Sequence, residues 1–177
     1  MEYKHTIGGE ASYTGIGLHS GEISTIRFKA AGPEEGIVFI RTDLPNRPEI
    51  PADIDHVVDI SRGTTIGIGT ATVGTIEHVL SAIKGLRIDN IRIEIDGPEA
   101  PVADGSPVVF LNLLRQCGLV QQDSERIFFE LDAPISFSAP EDNVDVVIVP
   151  SNELKVTFMI DYKHPYLGTQ YTWLPSL

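Results

Sequence analysis

"TIEHVLSAIKGLRIDNIRIEID", residues 75–96, changes its hydrophobic period part-way along, and that change decides the fold class. In the first half Ile76, Val79, Leu80 and Ile83 recur at the i, i+3, i+4, i+7 spacing of a core-facing helical stripe. In the second half Ile91, Ile93 and Ile95 alternate with Arg92, Glu94 and Asp96, as a sheet strand with one polar face should. Thr75 suits the N-cap, Lys84 the last turn and Gly85 a left-handed end, so the spacing predicts a helix from about Ile76 to Lys84.

Working outward, the N-terminal flank is strand-like. "KHTIGGEASY" (4–13), "ISTIRFKA" (23–30) and "GIVFIRTD" (36–43) alternate or are rich in β-branched residues, with Gly and Pro between them. The proline-spaced "LPNRPEIPADI" (44–54) reads as a surface crossing, and "DISRGTTIG" (59–67) with "GTATV" (69–73) as a short hairpin around Gly67 and Gly69. On the other side "DGSPVVFLNLLRQCG" (104–118) predicts a second helix with Ser106 as N-cap, Pro107 at the first helical position and Gly118 past the end. The order implies an α+β fold: a two-layer domain of a sheet with two helices on one face, over residues 1–120. Polar residues in "VQQDSE" (120–125) mark a boundary. Beyond it "RIFFEL" (126–131), "PISFSA" (134–139), "VDVVIVP" (144–150) and "LKVTFMID" (154–161) read as strands, and "HPYLGTQYTWLPSL" (164–177) as a loop that ends mid-element. Residues 126–177 are therefore expected to be an incomplete second domain, opening β-strands with no helix to cover them.

The chain has 177 residues, 42% of them hydrophobic, enough for a real core. A formal net charge of −12 argues against nucleic acid or an anionic membrane surface as partner. Cys117, the single cysteine, allows no internal disulfide and reads as a buried core thiol in a reducing compartment. The N-terminus lacks an apolar signal core, and no run approaches the roughly 20 apolar residues of a membrane span, so a cytoplasmic location is expected.

Glu77 and His78 stand where the predicted helix has unpaired N–H groups and its positive dipole end, a place that favours anions. One reading makes Glu77 a dipole complement and His78 a half-buried flank residue. The other makes His78 a zinc ligand and Glu77 a general base that takes the proton of a metal-lowered water. The spacing is not that of HExxH, and one imidazole falls short of the three protein ligands of a catalytic zinc. His5, His56 and His164 form no cluster at ligand spacing, and the two GIG triplets do not complete a dinucleotide fingerprint.

With "GIGLHSG" (15–21), "RTDLP" (41–45), "TIEHVLSAIKGLRIDN" (75–90), "APVADGSP" (100–107) and "IDYKHP" (160–165), the chain resembles, end to end, the zinc-dependent UDP-3-O-acyl-N-acetylglucosamine deacetylases of lipid A synthesis. The resemblance implies two similar α+β domains packed helix layer to helix layer with the active site between them, of which this chain supplies the first and the opening of the second. It implies a zinc held by His78 together with a histidine and an aspartate from a motif that these residues lack, so that the chain alone does not hold the ion. It makes Glu77 the catalytic base for hydrolysis of an N-acetyl group. The substrate implied is a UDP-linked acylated amino sugar, with Asp161 accepting from the uridine and Tyr162 stacking on its base. His19 in its Gly-flanked turn would line the cleft and Thr64 and Thr65 border it. His19 is also open to a plainer reading, a turn histidine bonded to nearby backbone, and Tyr162 to packing on its own sheet. Arg62 and Gly63 stand where some relatives carry Leu-Cys, and Asp104 and Ser106 read as helix-entry residues. A second class of function is a non-catalytic sugar-nucleotide-binding or interaction module of the same fold. The residues after Leu177 in the natural protein separate the two, and the mid-element end favours a shortened enzyme.

Overall fold

A computed structural model describes residues 2–176 and divides the chain into two compact units, 1–126 and 127–177. In the first unit the elements are β1 (Tyr3–Ile7), β2 (Ala11–Ile16), β3 (Ile23–Ala30), β4 (Ile37–Arg41), β5 (Glu49–Pro51), β6 (Val57–Asp59), β7 (Thr65–Ile68), β8 (Ala71–Val73), α1 (Glu77–Gly85), β9 (Ile91–Ile95), α2 (Val108–Cys117) and β10 (Leu119–Glu125). The fold is α+β. A five-stranded sheet runs β2-β3-β9-β4-β5, antiparallel except for the parallel β4–β9 pair, whose crossover contains the small β6-β7-β8 sheet and α1.

Register explains the layers. Ile26 faces Ile95, Phe28 faces Ile93 and Phe39 pairs with both Ile93 and Ile50, so one face of the sheet is an apolar row, all of it fully buried. Val79, Ala82 and Ile83 of α1 and Phe110 and Leu114 of α2 join that row in a single core, where Phe110 meets Tyr13 and Phe28 edge-on at centroid distances of 5.9 and 6.2 Å. On the other face Lys29 pairs with Glu94 at 2.9 Å and Arg92 with Glu35 at 2.6 Å. The period-2 pattern of residues 91–95 thus separates core from solvent.

Several sequence expectations need correction. The first helix starts at Glu77, and Thr75 is not its cap: its backbone is left-handed, with φ 56°, and no side chain caps the helix. Its end also shifts, because burial of Ile88 in the core carries the helical turn through Gly85 and places the left-handed residue at Arg87, φ 57°. There the Ile88 N–H returns to the Ile83 carbonyl at 3.1 Å. In α2 Pro107 occupies the cap position, while Ser106 Oγ accepts from the Val108 N–H at 3.3 Å and Gly118 ends the helix with φ 69°. The proline-spaced crossing contains β5 and a short 3-10 turn at Ile54–His56 capped by Asp53.

The polar 120–125 stretch does not interrupt the sheet pattern. It lies within β10, antiparallel to β1, because Gln122 bonds the Ala31 carbonyl at 2.9 Å and accepts from Asn90 at 2.7 Å, giving its amide partners inside the fold. Arg126 ends the unit, bonded to both Asp89 oxygens at 2.9 and 2.7 Å and to the Arg87 carbonyl at 2.9 Å. Cys117 is half-buried rather than buried, its thiol over the Leu113 carbonyl at 3.4 Å, and burial pushes its pKa up.

In the second unit β11 (Ile135–Ala139) pairs with β12 (Val144–Ile148) and β13 (Val156–Asp161) with β14 (Thr169–Leu174), each as a separate antiparallel hairpin. The terminal stretch is therefore not all loop: residues 169–174 are a strand, set in register by Asp161 opposite Thr169. "RIFFEL" forms no strand, since no partner pairs with it, and Phe129 is 89% exposed. Tyr171 and Trp173 stack at 6.0 Å on one face of the last hairpin. Among the described residues this unit has no helix, and isolated two-stranded hairpins are marginal in water.

Candidate functional site

A depression of about 370 Å³ in the first unit is lined by Thr75, two residues before α1, with His19, Arg62, Thr65 and Glu99 among others, while Glu77, His78 and Thr64 are not among its lining residues. Glu77 and His78 are both half-buried. The segment before β7 crosses the helix start: the Thr64 N–H donates to Glu77 Oε2 at 3.0 Å, and the Thr64 carbonyl accepts from the Ile76 N–H at 3.3 Å. One carboxylate oxygen is thereby oriented by the backbone, while Oε1 lies toward Gly63, where a Cβ would stand 3.0 Å away. Nearby, hydrogen bonds from the Ser106 hydroxyl and N–H hold the Asp104 carboxyl below the usual carboxylate range.

His19 sits on the β2–β3 loop, a tight reversal closed by the Gly17 N–H to the Glu22 carbonyl at 2.9 Å. Its ring Nε2 lies 3.1 Å from the Arg62 carbonyl, so it both lines the depression and ties its loop to the segment bearing Thr64. The residue that organises this region is one that no sequence motif singles out. Glu99 is only 5% exposed, and its carboxylate accepts from the His19 N–H at 3.0 Å, the Ser20 N–H at 2.7 Å and the Thr75 hydroxyl at 2.7 Å. Burial raises its pKa, but the Ser20 hydroxyl and N–H, the Thr75 hydroxyl and the His19 N–H outweigh it and bring the value down to about 2. Its main chain is also held, by the Ser24 hydroxyl on its carbonyl at 2.7 Å.

Thr75 stands between Glu99 and Glu77. A left-handed backbone at a β-branched residue costs about 1–3 kcal/mol and persists only where its surroundings impose it. These surroundings are the Glu99 carboxylate and the flanking strand contacts, Gly74 N–H to the Pro98 carbonyl at 2.9 Å and Ala100 N–H to the Gly74 carbonyl at 3.0 Å. The only sequence signal for Glu99 is a carboxylate between Pro98 and Ala100 just ahead of "APVADGSP", which says nothing of three distant donors meeting there.

His19, Thr64, Thr65, Glu77 and His78 thus all belong to the first unit. Asp161 and Tyr162 belong to the second, at the end of β13. There Asp161 Oδ1 accepts from the Thr169 hydroxyl at 2.7 Å, and the Tyr162 N–H bonds the Gly168 carbonyl at 3.0 Å. Asp104 Oδ1 accepts from the Ser106 N–H and hydroxyl at 3.0 and 2.8 Å, a helix-entry turn. Among the described residues no three His, Cys, Asp or Glu side chains stand close enough to hold a metal ion. The His19 ring is turned to the Arg62 carbonyl, and with no cluster of three donors around His78 among the described residues, the donor set does not fit a zinc centre by itself. No described helix is long and apolar enough to cross a membrane.

The family model described as LpxC, UDP-3-O-acyl N-acetylglycosamine deacetylase, matches residues 4–175. The chain is 50% identical to the bifunctional enzyme LpxC/FabZ of Chlorobaculum tepidum over 99% of its own length and 38% of that protein's. It is 42% identical to the UDP-3-O-acyl-N-acetylglucosamine deacetylase of Bdellovibrio bacteriovorus, covering 96% of this chain and 56% of the relative. Against the enzyme of that name from Nostoc the identity is 37%, with 96% and 61% covered. The chain thus spans less than two thirds of the length of each of these relatives.

Proposed function

This chain belongs to the LpxC family of UDP-3-O-acyl N-acetylglycosamine deacetylases, and from that premise we propose that it is the N-terminal portion of a zinc-dependent enzyme that hydrolyses the N-acetyl group of UDP-3-O-acyl-N-acetylglucosamine in lipid A biosynthesis. The observation that carries the reading is the start of α1, where Glu77 and His78 project from one turn and a backbone N–H orients one Glu77 oxygen. Glu77 acts as general base: with Oε2 held by Thr64, Oε1 takes the proton from the water that attacks the acetamide carbon. Collapse of the adduct breaks the C–N bond, the proton held on Glu77 passes to the leaving nitrogen, and acetate and a free amine are the products. His78 is this chain's contribution to the zinc, and two further ligands have to come from outside these residues.

His19, Thr64 and Thr65 border the acetamide end of the substrate, and Asp161 and Tyr162 contact its uridine. Asp161 retains acceptor capacity after its bond to Thr169. The first α+β domain is the unit 1–126, closed by β10 against β1, and residues 127–177 begin a second similar domain. The cytoplasm is the proposed location, which the single cysteine suits.

The test uses the full-length protein. Glu77→Gln keeps the shape and an acceptor for Thr64 but abolishes the base, so kcat should fall about 10²- to 10⁴-fold with zinc content unchanged. His78→Ala should lower zinc affinity itself, with activity partly restored by added zinc. Near-normal turnover in Glu77→Gln would remove the catalytic assignment. In that case the residue only complements the helix dipole, and the variant would lose about 0.3–1 kcal/mol of stability and little else.

A further inference from the structure

We propose that Glu99 is the positioning residue of this site, a buried carboxylate that couples the His19 loop to the strained residue opening the Glu77–His78 turn, so that loop and helix keep one spacing across the depression. As a statement about catalysis this rests on the proposed deacetylase function; as a statement about structural coupling it does not.

Three features point to it. The carboxylate gathers donors from sites far apart in sequence, His19 and Ser20 on the β2–β3 loop and Thr75 immediately before α1, within 3.1 Å of its oxygens. The loop is packed against it: a Cβ at Gly17 would collide with both Glu99 Oε2 and Ser20 Oγ, so a side chain there would have to push the carboxylate and the hydroxyl aside. Thr75, the β-branched residue with φ 56°, gives its hydroxyl to the same carboxylate, two residues before Glu77. A shift at Thr75 would rotate the first turn of α1 and with it Glu77.

Glu99 is not itself the base. Its oxygens are filled by donors, and a carboxyl brought down to about 2 has little affinity for a substrate proton at neutral pH. Glu77, with one donor from Thr64 on Oε2, is the carboxylate with an oxygen to spare. The two acids of the site therefore divide the work, one holding the geometry and the other moving the proton.

The coupling is read first on this 177-residue chain, by amide NMR. In Glu99→Gln the His19, Ser20 and Thr75 amide resonances should move together while those of Ile91 and Ile93 stay in place. The deciding variant is Thr75→Val, which removes the hydroxyl without touching the loop: it should move the His19 and Ser20 amides, and Thr75→Ser should leave them near their original shifts. In the full-length enzyme Glu99→Gln and Thr75→Val should lower kcat about 10- to 100-fold, the scale of a sub-ångström to 1 Å misplacement. KM should change far less, zinc content should not change, and Thr75→Ser should recover most of the loss. Unmoved His19 and Ser20 amides in Thr75→Val overturn the coupling whatever the enzyme does. Wild-type kcat in Glu99→Gln beside a crippled Glu77→Gln overturns the positioning role. If Glu77→Gln itself turns over normally, the proposed reaction fails, and the amide result still decides the coupling.

Discussion

Glu99 gives the sharpest stability prediction, because its burial and its donors act in opposite directions and the donors win. Relative to an ordinary carboxyl at 4.5, the folded-state value of about 2 makes the ionised form worth about 3 kcal/mol to folding. The side chain is almost fully buried, so solvent screening takes little from that figure. The sign follows from the depressed folded value: the contribution is fully present above the unfolded value and is lost as pH falls toward the folded one. Glu99→Gln removes the titration and adds a pH-independent offset from placing an amide among donors. The difference in unfolding free energy between wild type and variant should therefore be largest above about pH 5, shrink by roughly half of 3 kcal/mol near pH 3, and lose nearly all of that amount below pH 2. Urea denaturation at a series of pH values, followed by the methyl resonances of Ile91 and Ile93, reads the first unit alone. Asp89, Glu94 and Glu35 also have lowered values and titrate in both proteins, so they cancel in the difference. Parallel stability curves from pH 6 to pH 3 would refute the reasoning.

Phe110→Ala should destabilise the first unit by about 3–5 kcal/mol, and Phe110→Leu by less, since only the edge-on contacts with Tyr13 and Phe28 are lost; equal melting temperatures for the two variants would count against the packing described. The 177-residue chain should retain well under one zinc per molecule after dialysis, since no three donor side chains cluster around His78 among the described residues; stoichiometric zinc that disappears in His78→Ala would overturn this. Amide exchange should be slow at Ile91, Ile93 and Leu114, at the centre of the core, and fast across residues 135–160, where both strands of the β11–β12 hairpin are exposed; similar protection in both segments would contradict it.

Much of the first unit is legible in the sequence because its signals are local. Ile76–Ile83 and Ile91–Ile95 announce helix and strand by period alone, and "ISTIRFKA" is β3 over its full length. Gly67 and Gly69 mark the β7–β8 hairpin, with Gly69 at φ 59°. Five motif blocks in order are enough to place the chain in its family. The errors fall where a distant partner decides. Thr75 looks like an N-cap to any local rule, but a carboxylate 24 residues away takes its hydroxyl and the backbone turns left-handed. "VQQDSE" looks like a break until Asn90 and the Ala31 carbonyl satisfy Gln122 and the stretch pairs with β1. "RIFFEL" has strand composition and no strand beside it.

The sequence by itself determined the class of the fold, the two helices, the core row of the central sheet and the Glu77–His78 pair, because side-chain period and motif spacing are written along the chain. Only the tertiary structure decided that Glu99 is the hub of the candidate site, that Thr64 orients Glu77, and that His19 reaches the segment carrying Thr64. Each depends on a hydrogen-bond partner at least 13 residues away in the chain, and a buried polar group is satisfied by whatever folding brings within about 3 Å, a proximity that no pattern along the chain encodes.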